Sequence, residues 1–257
     1  MPSATHQSTW DARIARAHEL ASSRPAAREL LAFYAALAEY QRALAGRAPD
    51  GGTLDVDALV AAIPGFLAWL REHDRVDLAE SAEIDSVASA FRRTAAGGVE
   101  LPPEGGSHDP AVLFVIESLL QAFAERLVSG DPPAPGSIPM RCPRCAASPV
   151  AAVLREEGHG AKRFLLCALC LHEWECLRIV CPVCGEHEFD KLPIYTAEQF
   201  AHVRIDACDR CHHYIKTIDL TKDGLAVPCV DDIAGVSLVL WARERGYTRI
   251  KRNVLGI

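Results

Sequence analysis

Between residues 8 and 130 the apolar positions return with a helical period. Leu30, Leu31, Tyr34, Leu37, Ala38, Gln41 and Leu44 share one face, and Gln41 is its single polar member. Ser8 or Thr9 is placed to cap a helix from about Trp10 to Ser22. Ser23 and Pro25 open the next, which Gly46 stops. Thr53 is expected to cap a segment with Val56, Leu59, Val60 and Ile63 on one face. Pro64 should end or kink it, with Phe66, Leu67 and Leu70 continuing the stripe. A further helix is predicted from about Leu78 to Ala95, before Gly97-Gly98. After a loop at Pro102–Gly106, Asp109-Pro110 supplies an N-cap and first residue for a helix over about 110–129, closed by Gly130. Five or six amphipathic helices with short connections predict a bundle.

The pattern changes after Asp131-Pro-Pro-Ala-Pro-Gly136, a stiff spacer that cannot continue a helix. Val150–Leu154 and Arg163–Leu166 read as strands around a turn at Glu157–Gly160, and Glu173–Val180 as a third. Phe189–Ile194, His202–Ile205 and Tyr214–Ile218 read the same way. Asp231 or Asp232 is placed to cap a last helix reaching about Arg245. Its expected buried face is Ile233, Val236, Leu240 and Trp241.

Cysteine spacing adds the chemistry. Eight of the ten cysteines form four C-x-x-C pairs: Cys142/Cys145, Cys167/Cys170, Cys181/Cys184 and Cys208/Cys211. Thiolates two residues apart face one point when the chain between them turns tightly. Two such turns brought together offer four sulfurs to one ion. The simplest pairing is sequential, the first four cysteines making one site and the last four another. An interleaved pairing asks more of the chain. The expected class is α+β, with an N-terminal helical bundle (1–137), a first four-cysteine metal-binding module (138–186) and a second four-cysteine module with a C-terminal helix (187–257). A disulfide framework needs an oxidising compartment, to which nothing in the chain points. Redox dithiols of the thioredoxin type lack their βαβ context. Gly185, after Cys184, allows a left-handed turn there; Ala146 and His212 suggest differently shaped knuckles. Cys176 and Cys229 read as small buried residues, and His172, His187, His212 and His213 as neighbours of sites already filled by thiolates. Trp174 and Trp241 read as core.

Charge narrows the partners. Residues 1–137 hold 11 basic and 19 acidic side chains, net −8, and residues 138–257 hold 16 and 15, net +1. That balance is a poor footprint for nucleic acid, so a double zinc ribbon binding nucleic acid is the second choice. No stretch is long and apolar enough to predict membrane insertion, and no targeting segment stands at the start, so a cytoplasmic location is expected. No nucleophile–base constellation or phosphate loop appears, so no catalytic residue is assigned and the chain is not expected to be an enzyme.

A set of residues resembles the FdhE family of formate dehydrogenase accessory proteins. It comprises Cys167-Ala-Leu-Cys170, Glu173-Trp174, Arg178, Cys181-Pro-Val-Cys184-Gly185, Cys208-Asp-Arg-Cys211 and Tyr214-Ile-Lys216-Thr-Ile-Asp219. It continues with Asp231-Asp232, Trp241-Ala242, Gly246-Tyr247 and Asn253-Val-Leu-Gly256. The helical half matches less, around Leu30–Gln41. Ala146 departs from the glycine usual in that family, and Cys176 and Cys229 lie outside its pattern. The resemblance implies a cytoplasmic, non-catalytic maturation factor that binds the catalytic subunit of formate dehydrogenase. It also implies rubredoxin-like or zinc-ribbon modules with iron favoured, although four thiolates accept zinc equally well. A redox protein acting on the dehydrogenase cofactor is a further alternative. Docking is expected at the junction of bundle and modules, with Arg144, Leu169 and Arg210, beside the cysteines, as its exposed rim.

Overall fold

Helices occupy the N-terminal part, as the apolar period predicts: α1 (Ala4–Ser23), α2 (Arg28–Ala45), α3 (Val56–Glu72), α4 (Val76–Ser81) and α5 (Pro110–Leu127), with residues 84–89 also helical. The computed structural model describes residues 4–47, 55–82, 84–89, 109–127, 139–158 and 160–257. The expected cap at Thr53, the glycines at 97–98 and 130, and the 131–136 spacer lie outside these. Asp55 caps α3 by accepting from the Ala58 N–H at 3.0 Å, and Asp109 accepts from the Ala111 N–H at 2.7 Å. Helix α1 starts at Ala4, so Ser8 and Thr9 lie within it rather than capping it. Helix α3 runs through Pro64 instead of ending there. A proline inside a helix costs about 3 kcal/mol. Leu59, Ile63, Phe66, Leu67 and Leu70, all buried, offset this at about 1.5–3 kcal/mol for each large side chain. Gln41 stays inside because its amide donates to the Ser118 carbonyl at 2.8 Å and to Gln121 Oε1 at 3.2 Å.

The remainder builds one seven-stranded sheet: β1 (Pro149–Glu157), β2 (Gly160–Cys167), β3 (Glu173–Cys176), β4 (Ile194–Thr196), β5 (Val203–Ala207), β6 (His213–Asp219) and β7 (Thr248–Arg249). Its order is β3-β2-β1-β6-β5-β4, with β7 beside β6. Each half is an antiparallel three-strand meander, β1-β2-β3 and β4-β5-β6, with a cysteine knuckle before its first strand and another between its second and third. The halves join where β1 and β6 run parallel, Ala151 opposite Lys216 and Leu154 opposite Asp219. The segment expected as a strand from Phe189 instead makes a 3₁₀ turn at Phe189–Lys191. Pro193, which has no N–H to give, separates that turn from β4.

The expected last helix is two: α6 (Pro228–Ala234) and α7 (Val236–Glu244), broken at Gly235. The break turns the buried face, so α7 buries Leu238, Val239 and Ala242 while Leu240 is 55% exposed. Ala152, Leu165, Ile215, Val230 and Ile233 form one apolar cluster with the bundle. Ala151, Val153, Tyr214 and Ile218 form a second with Leu238 and Ala242 of α7.

Candidate metal centres

Each knuckle is a backbone turn that the sequence shapes around one cysteine. The Ala146 N–H donates to the Cys142 carbonyl at 2.9 Å, Gly185 to Cys181 at 3.0 Å and His212 to Cys208 at 2.8 Å. The residue after each second cysteine is left-handed: Ala146 (φ 58°), Leu171 (52°), Gly185 (72°) and His212 (56°). The four knuckles thus share one form. The expectation that Ala146 and His212 mark differently shaped turns is corrected, because the turn demands that conformation whatever side chain sits there.

The turns bring the sulfurs together in sequential groups. Cys142 and Cys170 lie 3.6 Å apart, Cys145 and Cys167 3.3 Å, and Cys145 and Cys170 3.5 Å. In the second group Cys181 and Cys211 are 3.6 Å apart, and Cys184 and Cys208 3.7 Å. Within each group all four Sγ atoms lie within 4.8 Å of one another, and no cysteine is in a disulfide. A tetrahedron with metal–sulfur bonds of about 2.3 Å has edges of about 3.8 Å, so either group is able to hold one ion. Backbone N–H groups face the sulfurs: Leu169 and Cys170 donate to Cys167 Sγ at 3.3 and 3.4 Å, and Val183 to Cys181 Sγ at 3.5 Å. Such donors favour thiolate over thiol.

Without a cation four crowded thiols ionise unequally. Hydrogen bonds from Cys145, Cys167 and Cys170 hold Cys142 well below the usual thiol range, whereas bonding to Cys142 and Cys145 pushes Cys167 and Cys170 far above it. Burial pushes Cys181 up to about 11. A divalent ion eases this conflict by bonding to all four sulfurs and offsetting half of their thiolate charge.

The two groups differ in setting. The first is wholly buried and belongs to the apolar cluster shared with the bundle. Gln121 of α5 braces it by donating to the Ala168 carbonyl at 3.2 Å. In the second, Cys184 and Cys211 are partly exposed. Neither group includes a histidine. His213 Nδ1 lies 2.8 Å from the Cys211 carbonyl, and burial lowers the His172 pKa. Cys176 is buried with its pKa raised by burial, and Cys229 Sγ lies 3.6 Å from the Tyr34 hydroxyl. Trp174 is buried and donates to the Pro139 carbonyl at 2.7 Å. Arg144 and Arg210 are exposed, Arg210 lying 3.5 Å from Glu186. Leu169 is not a rim residue: it is 1% exposed and belongs to the core, because its knuckle faces the bundle.

Asp231 and Asp232 carry roles that the sequence reading missed. Neither stands at the cap position, which Val227 holds without a side-chain hydrogen bond, and both aspartates are buried inside α6. Asp231 accepts from Arg16 of α1 at 2.7 and 3.1 Å, from the Val227 N–H at 2.7 Å, and lies 2.7 Å from His202 Nε2. His202, Asp223 and Asp231 also bring ligand-type atoms together, but the Arg16 guanidinium already bonds both carboxylates. Asp232 pairs with Lys216 at 3.0 Å and with Arg249, and accepts from Asn253 at 2.8 Å. Burial, helped by the nearby Arg249 charge, pushes the Lys216 pKa down to about 7 despite that pairing. The one legible signal was Lys216 itself, a charge between Tyr214 and Ile218 on a strand face that should be apolar.

Family models described as "FdhE, central domain" and "FdhE, C-terminal domain" match residues 141–178 and 179–255. A "Protein FdhE homolog" from Aquifex aeolicus (strain VF5) is 43% identical over 116 residues, 45% of this chain and 41% of that protein. One from Haemophilus influenzae (strain PittGG) is 36% identical over 113 residues, 44% and 37% of the respective chains. The matched segment thus spans about two fifths of these curated relatives. The crystal structure of the FdhE protein from Pseudomonas aeruginosa superposes with a TM-score of 0.71 at 23% identity, over 96% of this chain and 95% of that one. That likeness is one of fold, and it takes in the helical half that the family models leave unmatched.

Proposed function

From the premise that the chain belongs, through residues 141–255, to the FdhE family, we propose that it is an accessory factor for formate dehydrogenase. It binds the catalytic subunit of that enzyme in the cytoplasm and does not itself turn over formate. The observation that carries this reading is the pair of four-sulfur groups on the shared fold, each closed by its own cysteines. We assign Cys142, Cys145, Cys167 and Cys170 to one ion and Cys181, Cys184, Cys208 and Cys211 to a second. Iron is favoured on the rubredoxin-like knuckles, and zinc is the alternative. A tetrathiolate ion with no open position supplies rigidity or one-electron transfer rather than a site for substrate.

The partner surface we favour lies beside the second group. Ile179, Phe189 and Ile194 are 46%, 72% and 48% exposed and line one groove with Cys181 and Cys208. Clustered exposed apolar side chains mark interaction surfaces, and Arg210 flanks the same knuckle. Arg144 would extend the contact toward the first group.

Deletion of the gene in its host, complemented with wild type or with Cys-to-Ser variants, tests the reading. Formate oxidation should fall on deletion and return with wild type. It should not return with a variant lacking both sulfur groups. Normal formate oxidation in the deletion strain, with no second copy present, ends the assignment. Phe189→Glu should weaken co-purification of the catalytic subunit by about 10-fold or more while leaving metal content unchanged.

A further inference from the structure

A cleft of about 640 Å³ opens between α7 and the last turn of the chain, on the edge of the sheet carrying β7. Arg243, Arg249 and Arg252 line it, with Tyr214, Val239 and Tyr247 among its walls. Its volume is that of small-molecule sites.

Two of its donors are orphaned. Tyr214 is 1% exposed and Arg249 7% exposed, yet the Tyr214 hydroxyl and Arg249 Nε, both buried, have no hydrogen-bond partner among the described residues. They are neighbours by construction: β6 and β7 run parallel with Tyr214 opposite Arg249, so their side chains leave the same face of the sheet. The other Arg249 nitrogens are used, Nη1 on the Ile257 carbonyl and Nη2 on Val150 and Asp232. A buried donor left without an acceptor is unfavourable. Two such donors on one face of the sheet, in a cleft that a further guanidinium from α7 also lines, offer a position for an acceptor.

We propose that this cleft binds a small organic molecule through an oxyanion, carboxylate or phosphate, held between the Tyr214 hydroxyl, Arg249 Nε and Arg243. The chemistry of the donors selects the class. Guanidinium groups match planar and tetrahedral oxyanions, and an anion is acceptor-only, so it satisfies both orphans at once. Burial pushes the Tyr214 pKa up to about 12, so the phenol keeps its proton and donates at neutral pH. Val236, Val239 and Leu240 on the α7 side give the ligand an apolar wall. No cysteine takes part, so the proposal stands apart from the accessory role and either can fail without the other.

Calorimetric titration of the full metal-loaded chain with inorganic phosphate and, separately, with acetate tests it, with chloride holding ionic strength constant. Saturable binding of phosphate alone assigns a phosphate ligand, of acetate alone a carboxylate ligand, and of both the shared oxyanion chemistry. Tyr214→Phe, which removes only the orphaned hydroxyl, should weaken binding about 10-fold, the worth of one hydrogen bond to a charge. Arg243→Gln, on an exposed side chain, should weaken it similarly and flatten its dependence on salt. Absence of saturable binding by either anion overturns the proposal. So does binding that both variants leave unchanged.

Discussion

Ala146, Leu171 and His212 hold the left-handed conformation with a Cβ in place, as Gly185 does without one. For an L-residue this costs about 1–2 kcal/mol. Ala146→Gly should therefore stabilise the metal-loaded protein by about 1 kcal/mol in denaturant unfolding; no gain would mean that the knuckle is unstrained. Asp232 invites the opposite experiment. Asp232→Asn leaves Lys216 and Arg249 buried without their counter-charge and should cost about 3–5 kcal/mol. Lys216 adds a pH signature. Its folded pKa is depressed to about 7, below the roughly 10.4 of an unfolded lysine, so across that window the unfolded chain holds more protons. Stability of the wild type relative to Lys216→Met should accordingly rise from about pH 7 to about pH 10, and a falling difference would contradict the burial reading. The cysteines were legible because their chemistry lies in local spacing. Asp231-Asp232 was not, since a helix cap and an ion-pair hub look alike as a dipeptide, and Arg16 stands 215 residues from Asp231.

Helix α1 is fastened to α6 by Arg16, whose guanidinium reaches Asp231, Asp223 and Glu19 while only 6% exposed. Arg16→Leu should leave Asp231 buried without its guanidinium partner and cost about 3 kcal/mol or more, read by urea unfolding. A loss below about 1 kcal/mol would show that packing alone seats α1. The bundle helices and the β1–β2 hairpin were readable because amphipathic period and turn residues are local signals. Pro64 left an end or a kink equally open because helix termination is decided by packing on both sides of the proline, and the stripe through Phe66, Leu67 and Leu70 carries the helix on. The split at Gly235 was missed because a single helical stripe from Ile233 to Trp241 fits the pattern equally well. The parallel β1–β6 pair left no local trace, its register being set by strands in different modules.

The two sulfur groups should part company on metal removal. A chelator should strip the group containing partly exposed Cys184 and Cys211 first, with the bundle intact. Loss of the second ion should coincide with a change in the fluorescence of Trp10 and Trp69, because Cys142, Cys145, Cys167 and Cys170 share the bundle's apolar cluster. Simultaneous release from both groups would contradict this order. The parallel pair at the centre of the sheet also sets a timetable. Ala151 and its partner Lys216 stand 65 residues apart, so at synthesis rates of about 5–20 residues per second β1 waits roughly 3–13 s for its neighbour. During that interval the emerging chain carries an open strand edge, a template for pairing with other chains. A product that stops short of His213, through early termination or a proteolytic cut, keeps that edge permanently and should self-associate, whereas a monomeric fragment of residues 1–212 at high concentration would contradict it. Ribosome stalling in the second module is then a sharper hazard for this protein than stalling in its helices, where contacts close within the segment already made.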